Sequence, residues 1–276
     1  MNFENLVEQI AKEVYGKISS GSMAESSAKG RKITPHEIAK MMDYSLLKPE
    51  LTKQQVVDGC LEAVKYDCKS VCVRSADVLL AMEICKNSDV FVKTVVGFPH
   101  GNCLPEVKNF EAQIAIAQGC KEIDMVMNIG MFKSGEYDII AKEVSMLAET
   151  CHTAGCKLQV IMENAYLTKE EIAKACRIIE ANGGDFVKTS TGFAPGGATV
   201  EDLKIMRATV SPKVNVKAAG GVRTLDAALA VAACGSCRFG CTATKKILEE
   251  AAEREKAGTL FVPPLSEVPD NAIGYN

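Results

Sequence analysis

From Thr34 onward the chain alternates short β-rich segments with amphipathic helical ones, and the alternation repeats eight times. Candidate strands lie at 42–46, 70–74, 90–96, 122–128, 158–163, 185–189, 215–218 and 238–241. Helical periodicity fills the gaps at 52–66, 75–86, 106–119, 135–154, 168–182, 200–209, 224–233 and 243–256. Thr52, Ser75, Thr168 and Thr224 stand where helix caps are expected. Strict strand–helix alternation predicts an α/β fold, a (β/α)8 TIM barrel over residues 34–259. An open doubly wound sheet is the main competitor. However, no GxGxxG follows the first strand, and the glycine-rich segments come late.

The flanks differ from this core. In residues 1–18, Phe3, Leu6, Val7, Ile10, Ala11, Val14, Tyr15 and Ile18 form one apolar stripe at helical spacing. Glu4, Glu8, Lys12, Glu13 and Lys17 occupy the other face. Small and polar residues follow, so 19–33 reads as a flexible linker. A lone helix of this length is marginal in water, so the stripe calls for a partner surface. Its own domain or another copy in a homo-oligomer, a dimer, would serve. Residues 260–276 carry three prolines and are expected to be irregular.

Composition narrows the function classes. Lys plus Arg number 32 against 35 Asp plus Glu, which gives no basic footprint for nucleic acid. The longest apolar run, 227–234, falls well short of the roughly 18 residues a membrane span needs. No secretory signal opens the chain, so a cytoplasmic, reducing setting is expected. Twelve cysteines sit mostly within apolar patterns. One CxxC, Cys234 to Cys237, has no second pair or paired histidines to complete a zinc set. Most of these thiols are therefore expected to pack as small hydrophobes, and neither a metal nor a cofactor is expected.

Barrel active sites lie at the C-terminal strand ends. There the fourth strand carries Asp124 and the sixth and seventh carry Lys188 and Lys217. A lysine within a short β-rich run is costly to bury unless paired or functional. Two on consecutive strands disfavour each other's protonation, so one can become a neutral amine able to form a Schiff base. Asp124 would then move protons. The competing reading is an Asp124–lysine ion pair that only holds the interior together. Gly192, Gly220, Gly221 and Gly240 each follow a late strand and precede a helix, an anion cradle with Arg223 at its rim. Alternatively, these glycines only make tight turns.

FVKTSTGF at 186–193, EIDMVMN at 122–128, VKAAGGVRT at 216–224 and GFPHG at 97–101 resemble deoxyribose-phosphate aldolases. So do MMDYSLLKP at 41–49 and RFGCTA at 238–243, and the resemblance runs in order from about residue 35 to 257. It implies a class I, metal-free aldolase that cleaves 2-deoxy-D-ribose 5-phosphate to D-glyceraldehyde 3-phosphate and acetaldehyde. By the same resemblance Lys188 is the Schiff-base nucleophile, Lys217 perturbs its pKa, and Asp124 relays protons through water. Asp43 and Cys72 line the substrate end; Gly192, Gly220, Gly221, Arg223, Gly240 and Thr242 lie at the phosphate. Four departures stand out. Thr242 and Ala243 stand where some members carry two serines, Phe193 stands where some carry a lysine, and Tyr44 follows Asp43 where histidine is common. Lys93, the fourth, is an extra lysine in the third strand, read as a strand-end charge.

The tethered helix at 1–18 resembles the encapsulation peptides that carry enzymes into bacterial microcompartments, with shell or cargo proteins as partners. Its polar face balances Glu with Lys, which argues against a membrane surface. Two rivals remain. One is another Schiff-base barrel, a transaldolase-like or keto-acid aldolase; the other is a non-catalytic barrel acting as cargo or scaffold.

Overall fold

The computed structural model describes residues 30–274, so the amphipathic stripe at 1–18 and most of the linker lie outside the described residues. Eight parallel strands close into a barrel: β1 (Met42–Leu46), β2 (Ser70–Val73), β3 (Phe91–Val96), β4 (Glu122–Val126), β5 (Lys157–Ile161), β6 (Phe186–Lys188), β7 (Asn215–Ala218) and β8 (Arg238–Cys241). Closure of β8 onto β1 removes the open-sheet alternative. Eight helices ring the barrel: α1 (Lys53–Lys65), α2 (Val78–Cys85), α3 (Pro105–Ala117), α4 (Tyr137–Thr153), α5 (Lys169–Ala181), α6 (Val200–Thr209), α7 (Leu225–Ala233) and α8 (Thr244–Lys256). None of the described helices is long and apolar enough to cross a membrane.

Local chemistry sets the helix starts. Thr52 and Thr168 each cap reciprocally, with Gln55 and Glu171 as the partners at the third helical position. Thr224 caps α7 through the Ala227 amide. Ser75 does not cap. It opens a 3-10 turn, Ser75–Asp77, and α2 starts only at Val78. Asp77, the residue before α2, is instead held by Arg74 Nε at 2.6 Å. The fourth strand ends at Val126 rather than Asn128, because Asn128 caps an unforeseen short helix, Ile129–Lys133.

The main core lies between the strands and the helices. Inside the barrel, strand parity selects a different set of residues. Successive side chains alternate between the two faces, and the inward positions include Asp43, Ser70, Lys93, Glu122, Asp124, Gln159, Lys188, Lys217 and Arg238. All nine are at most 5% exposed.

Both flanks carry structure that composition did not foretell. Arg31–Lys32, within the expected linker, pairs antiparallel with Phe261–Val262 of the expected irregular tail. The pairing is close: a Cβ on Gly30 would lie 2.3 Å from the Val262 carbonyl oxygen. Beyond this ribbon the tail makes a 3-10 turn at Leu265–Glu267 and runs on until Gly274 lies against Gly221, after β7.

Candidate active site

The floor of the barrel is aromatic. Phe91 at the start of β3 and Phe186 at the start of β6 lie 5.5 and 6.0 Å from the Arg238 guanidinium. Above them, Arg238 grips Asp43 through Nε at 2.9 Å and through a second, shorter contact, and reaches Glu122 at 3.3 Å. Ser70 donates to Asp43 at 2.6 Å, and Gln159 donates to Glu122 at 2.6 Å. Lys93 sits among all three carboxylates, 2.6 Å from Asp124 Oδ1, 3.0 Å from Glu122 and 3.4 Å from Asp43. It is therefore not a strand-end charge: its side chain is fully buried in the barrel interior.

Lys188 and Lys217 are direct register partners on β6 and β7. Both ammoniums reach the same oxygen, Asp124 Oδ2, at 2.7 and 3.1 Å. Lys217 also makes a short contact with Asp43. Burial would raise Asp124, yet Lys188, Lys217 and Lys93 outweigh it and hold the carboxyl far below its usual range. Asp43 behaves likewise under Arg238, Lys217 and Lys93. Burial brings Lys217 down to about 8, with Lys188 and Lys93 pushing the same way against Asp124 and Asp43. The Lys188 side chain is 4% exposed and that of Lys93 is 0% exposed, so Lys188 is the lysine nearer the mouth.

Cys72, on β2, is buried beside Leu47, Val95 and Phe98, an apolar wall next to the lysines. Burial pushes its thiol up to about 11. Asp43 is placed deeper than a substrate-lining group, fully buried inside the ion-pair cluster. The late glycine turns sit on the same face. Gly192, Gly220 and Gly221 have φ of 89°, 77° and 88°, which only glycine adopts cheaply. The loop after β6 is laced to the loop after β7 by Ala198 N, donating to Ala219 O at 3.0 Å and Gly220 O at 3.1 Å. Gly240 is not a turn glycine: it lies within β8, paired with Asp43. Arg223 is exposed on the β7–α7 turn. Thr242, also exposed, lines an outer groove with Glu62 of α1 and Lys245 and Glu249 of α8.

Several site residues escaped the sequence reading. Glu122 and Arg238 lay inside quoted motifs without a role. Glu163, two residues past β5, has left-handed backbone (φ 56°) and accepts from the Thr191 amide at 3.2 Å and from the Thr191 hydroxyl. It thereby clamps the β6–α6 loop, and burial raises its carboxyl. For Glu122 the signal available was parity, two residues before Asp124 on the same strand; for Lys93 and Arg238 it was a charge within an otherwise apolar strand. No cluster of three or more His, Cys, Asp or Glu among the described residues is arranged to hold a metal.

An interior of paired cations and carboxylates, capped by glycine turns, can form an imine and shuttle protons beside an anion cradle. Comparison with known proteins agrees with that chemistry. The DeoC/LacD family aldolase model matches residues 37–249. Deoxyribose-phosphate aldolase of Thermococcus gammatolerans is 46% identical over 221 residues, 79% of this chain and 98% of the relative. That of Thermoanaerobacter sp. is 49% identical over 214 residues, 77% and 96% of the two chains. The solved aldolase QR15 superposes with a TM-score of 0.75 at 35% identity, covering 80% of this chain and 98% of that one. With the motif order, the closed barrel and these matches in agreement, the chain belongs to the DeoC/LacD family of aldolases.

Proposed function

We propose that this enzyme is a class I deoxyribose-phosphate aldolase with Lys188 as its nucleophile. The observation that carries the reading is the pair Lys188 and Lys217 on one oxygen of Asp124. Neutral Lys188 adds to the C1 aldehyde of open-chain 2-deoxy-D-ribose 5-phosphate; the carbinolamine loses water to give an iminium. The C3 hydroxyl then gives up its proton, the C2–C3 bond breaks, and D-glyceraldehyde 3-phosphate leaves. The enamine that remains is protonated on carbon, and hydrolysis releases acetaldehyde and free lysine. Asp124 takes and returns the protons, directly or through one water. Lys217 stands beside Lys188 on the same Asp124 oxygen and disfavours a second positive charge there. Gly192, Gly220, Gly221 and Arg223 receive the phosphate, with Cys72 at the aldehyde end. No step in this scheme calls on a metal or a cofactor.

Borohydride trapping with acetaldehyde, followed by peptide mass spectrometry, tests this. A reduced two-carbon adduct is expected on the Lys188 peptide, together with loss of cleavage and of adduct in Lys188→Ala. An adduct on Lys217 or Lys93, or none, would overturn the assignment.

The reading extends to partners. The stripe at 1–18, on its polar tether, suits packing on a microcompartment shell or on other cargo helices. A shell would retain a volatile aldehyde. Loss of shell co-localisation on deleting residues 1–29, with trapping intact, is the expected result; unchanged localisation would end the idea. A second copy of the chain is the expected oligomeric partner, since α3 and its cap leave Leu104, Val107, Phe110 and Ile114 exposed in one row. Sedimentation of the wild type against Phe110→Glu tests that surface.

A further inference from the structure

The interior cluster holds four cations, Lys93, Lys188, Lys217 and Arg238, against three carboxylates, Asp43, Glu122 and Asp124. With every group ionised, one positive charge is left over in a space sealed from water. A buried excess charge is expensive, and the cheapest relief is for one lysine to release its proton. Arg238 cannot do so, because guanidinium stays protonated in proteins. Lys93 is poorly placed to do so. The carboxylates of Asp124, Asp43 and Glu122 outweigh its burial and hold its ammonium well above the ordinary lysine range.

That leaves Lys188 and Lys217, which share a single carboxylate oxygen. Lys93 meanwhile occupies the other oxygen of Asp124 at 2.6 Å. Its register partner on β4 is Glu122, one pleat below Asp124, so it approaches the carboxylate from beneath. We propose that Lys93 is a positioning residue that holds Asp124 by Oδ1 and supplies the surplus charge that makes the Lys188–Lys217 pair release one proton. This rests on the aldolase reading and adds to it the origin of the free amine. Without Lys93 the three remaining cations balance the three carboxylates, and both upper lysines are better off protonated.

The groups facing the pair account for the charge on every strand that contributes one. They are Asp43 on β1, Lys93 on β3, Glu122 and Asp124 on β4, Arg238 on β8, and Glu163 just past β5. Glu163 faces Lys188 from outside the ion-paired cluster, is bonded to Thr191 and has its carboxyl raised by burial. Cys72 on β2 stays a neutral thiol, and Gln159 on β5 is uncharged. The pair titrates as a unit, so the acid limb of a pH–rate profile reports it as one apparent value.

The test is the pH dependence of kcat/KM for deoxyribose 5-phosphate cleavage by the full chain. Lys93→Met is expected to move the midpoint of the acid limb upward by about one pH unit or more, and Lys93→Arg to leave it in place. Glu122→Gln, which enlarges the surplus, is expected to move it downward. Lys93→Gln replaces Lys93→Met should methionine prevent folding. Activity lost in Lys93→Met with the midpoint unmoved, or Lys93→Met and Glu122→Gln shifting in the same direction, would overturn the proposal. A wild type with neither turnover nor trapped adduct would instead sink the aldolase reading itself.

Discussion

At the scale of single residues, Asp124 is the hinge of the site, because three ammoniums converge on its two oxygens. Asp124→Asn keeps the shape but cannot accept a proton. Its kcat is expected to fall by about a hundredfold to ten-thousandfold, with KM changed far less, as read by steady-state cleavage of deoxyribose 5-phosphate. Asp124, Lys188 and Lys217 were legible in the sequence because each breaks an apolar strand. Lys93 breaks the FVKTVV strand in the same way. Treating it as a terminal charge ignored the cost argument applied to the other two lysines. Glu163 was not legible, since its role depends on a left-handed backbone and on a loop two elements away.

At the scale of elements, a second buried ion pair ties helices to the mouth. Lys108 of α3 meets Glu143 of α4 at 2.6 Å with both side chains fully buried. Lys108 also donates to Val126 O at 2.8 Å, and Glu143 accepts from the Asn128 amide at 2.8 Å. Together they fix the end of β4, two residues beyond Asp124. Lys108→Met strands a buried carboxylate and is expected to cost about 3–5 kcal/mol. Lys108→Met/Glu143→Met should recover much of that loss in urea unfolding. Element type and order followed from the sequence because the two periodicities, near 2 and 3.6, differ plainly. Element ends were less legible: Asn128 continues an apolar run by pattern but leaves the sheet to cap Ile129–Lys133. The two-residue ribbon pairs segments more than two hundred residues apart, and no local pattern announces such a pairing.

At the scale of the whole molecule, the cysteines decide how the fold responds to pH. Burial pushes the thiols of Cys72, Cys234 and Cys241 up to about 11, and those of Cys68, Cys120 and Cys151 up to about 12, from 9.0. A group whose folded pKa is raised stabilises fully below its unfolded value and loses that stability as pH rises towards the folded one. Past pH 9 each such thiol removes up to about 1.4 kcal/mol per pH unit, and six together roughly 8. Lys217, lowered from 10.5 to about 8, works in the opposite direction over the same window, but as a single group. Against a typical total of about 5–15 kcal/mol, unfolding is expected within one or two pH units above about 9. Circular dichroism across an alkaline titration checks this, and a flat signal to pH 11 would contradict it. The prevalence of thiols was plain from the sequence, and so was their role as core filler. Their burial on both faces of the strands became visible only once the barrel closed.

That closure also has a colloidal consequence. Every barrel strand has a neighbour on each side, so the ring offers no row of vacant amides and carbonyls onto which another chain could zip. Among the described residues the strand edges left open are the two of the ribbon, each two residues long, one of them bearing the exposed Lys32. Crowding many copies into a small volume therefore gives edge-to-edge growth almost nothing to start from. A molecule of this kind tolerates dense storage for as long as its ring stays shut.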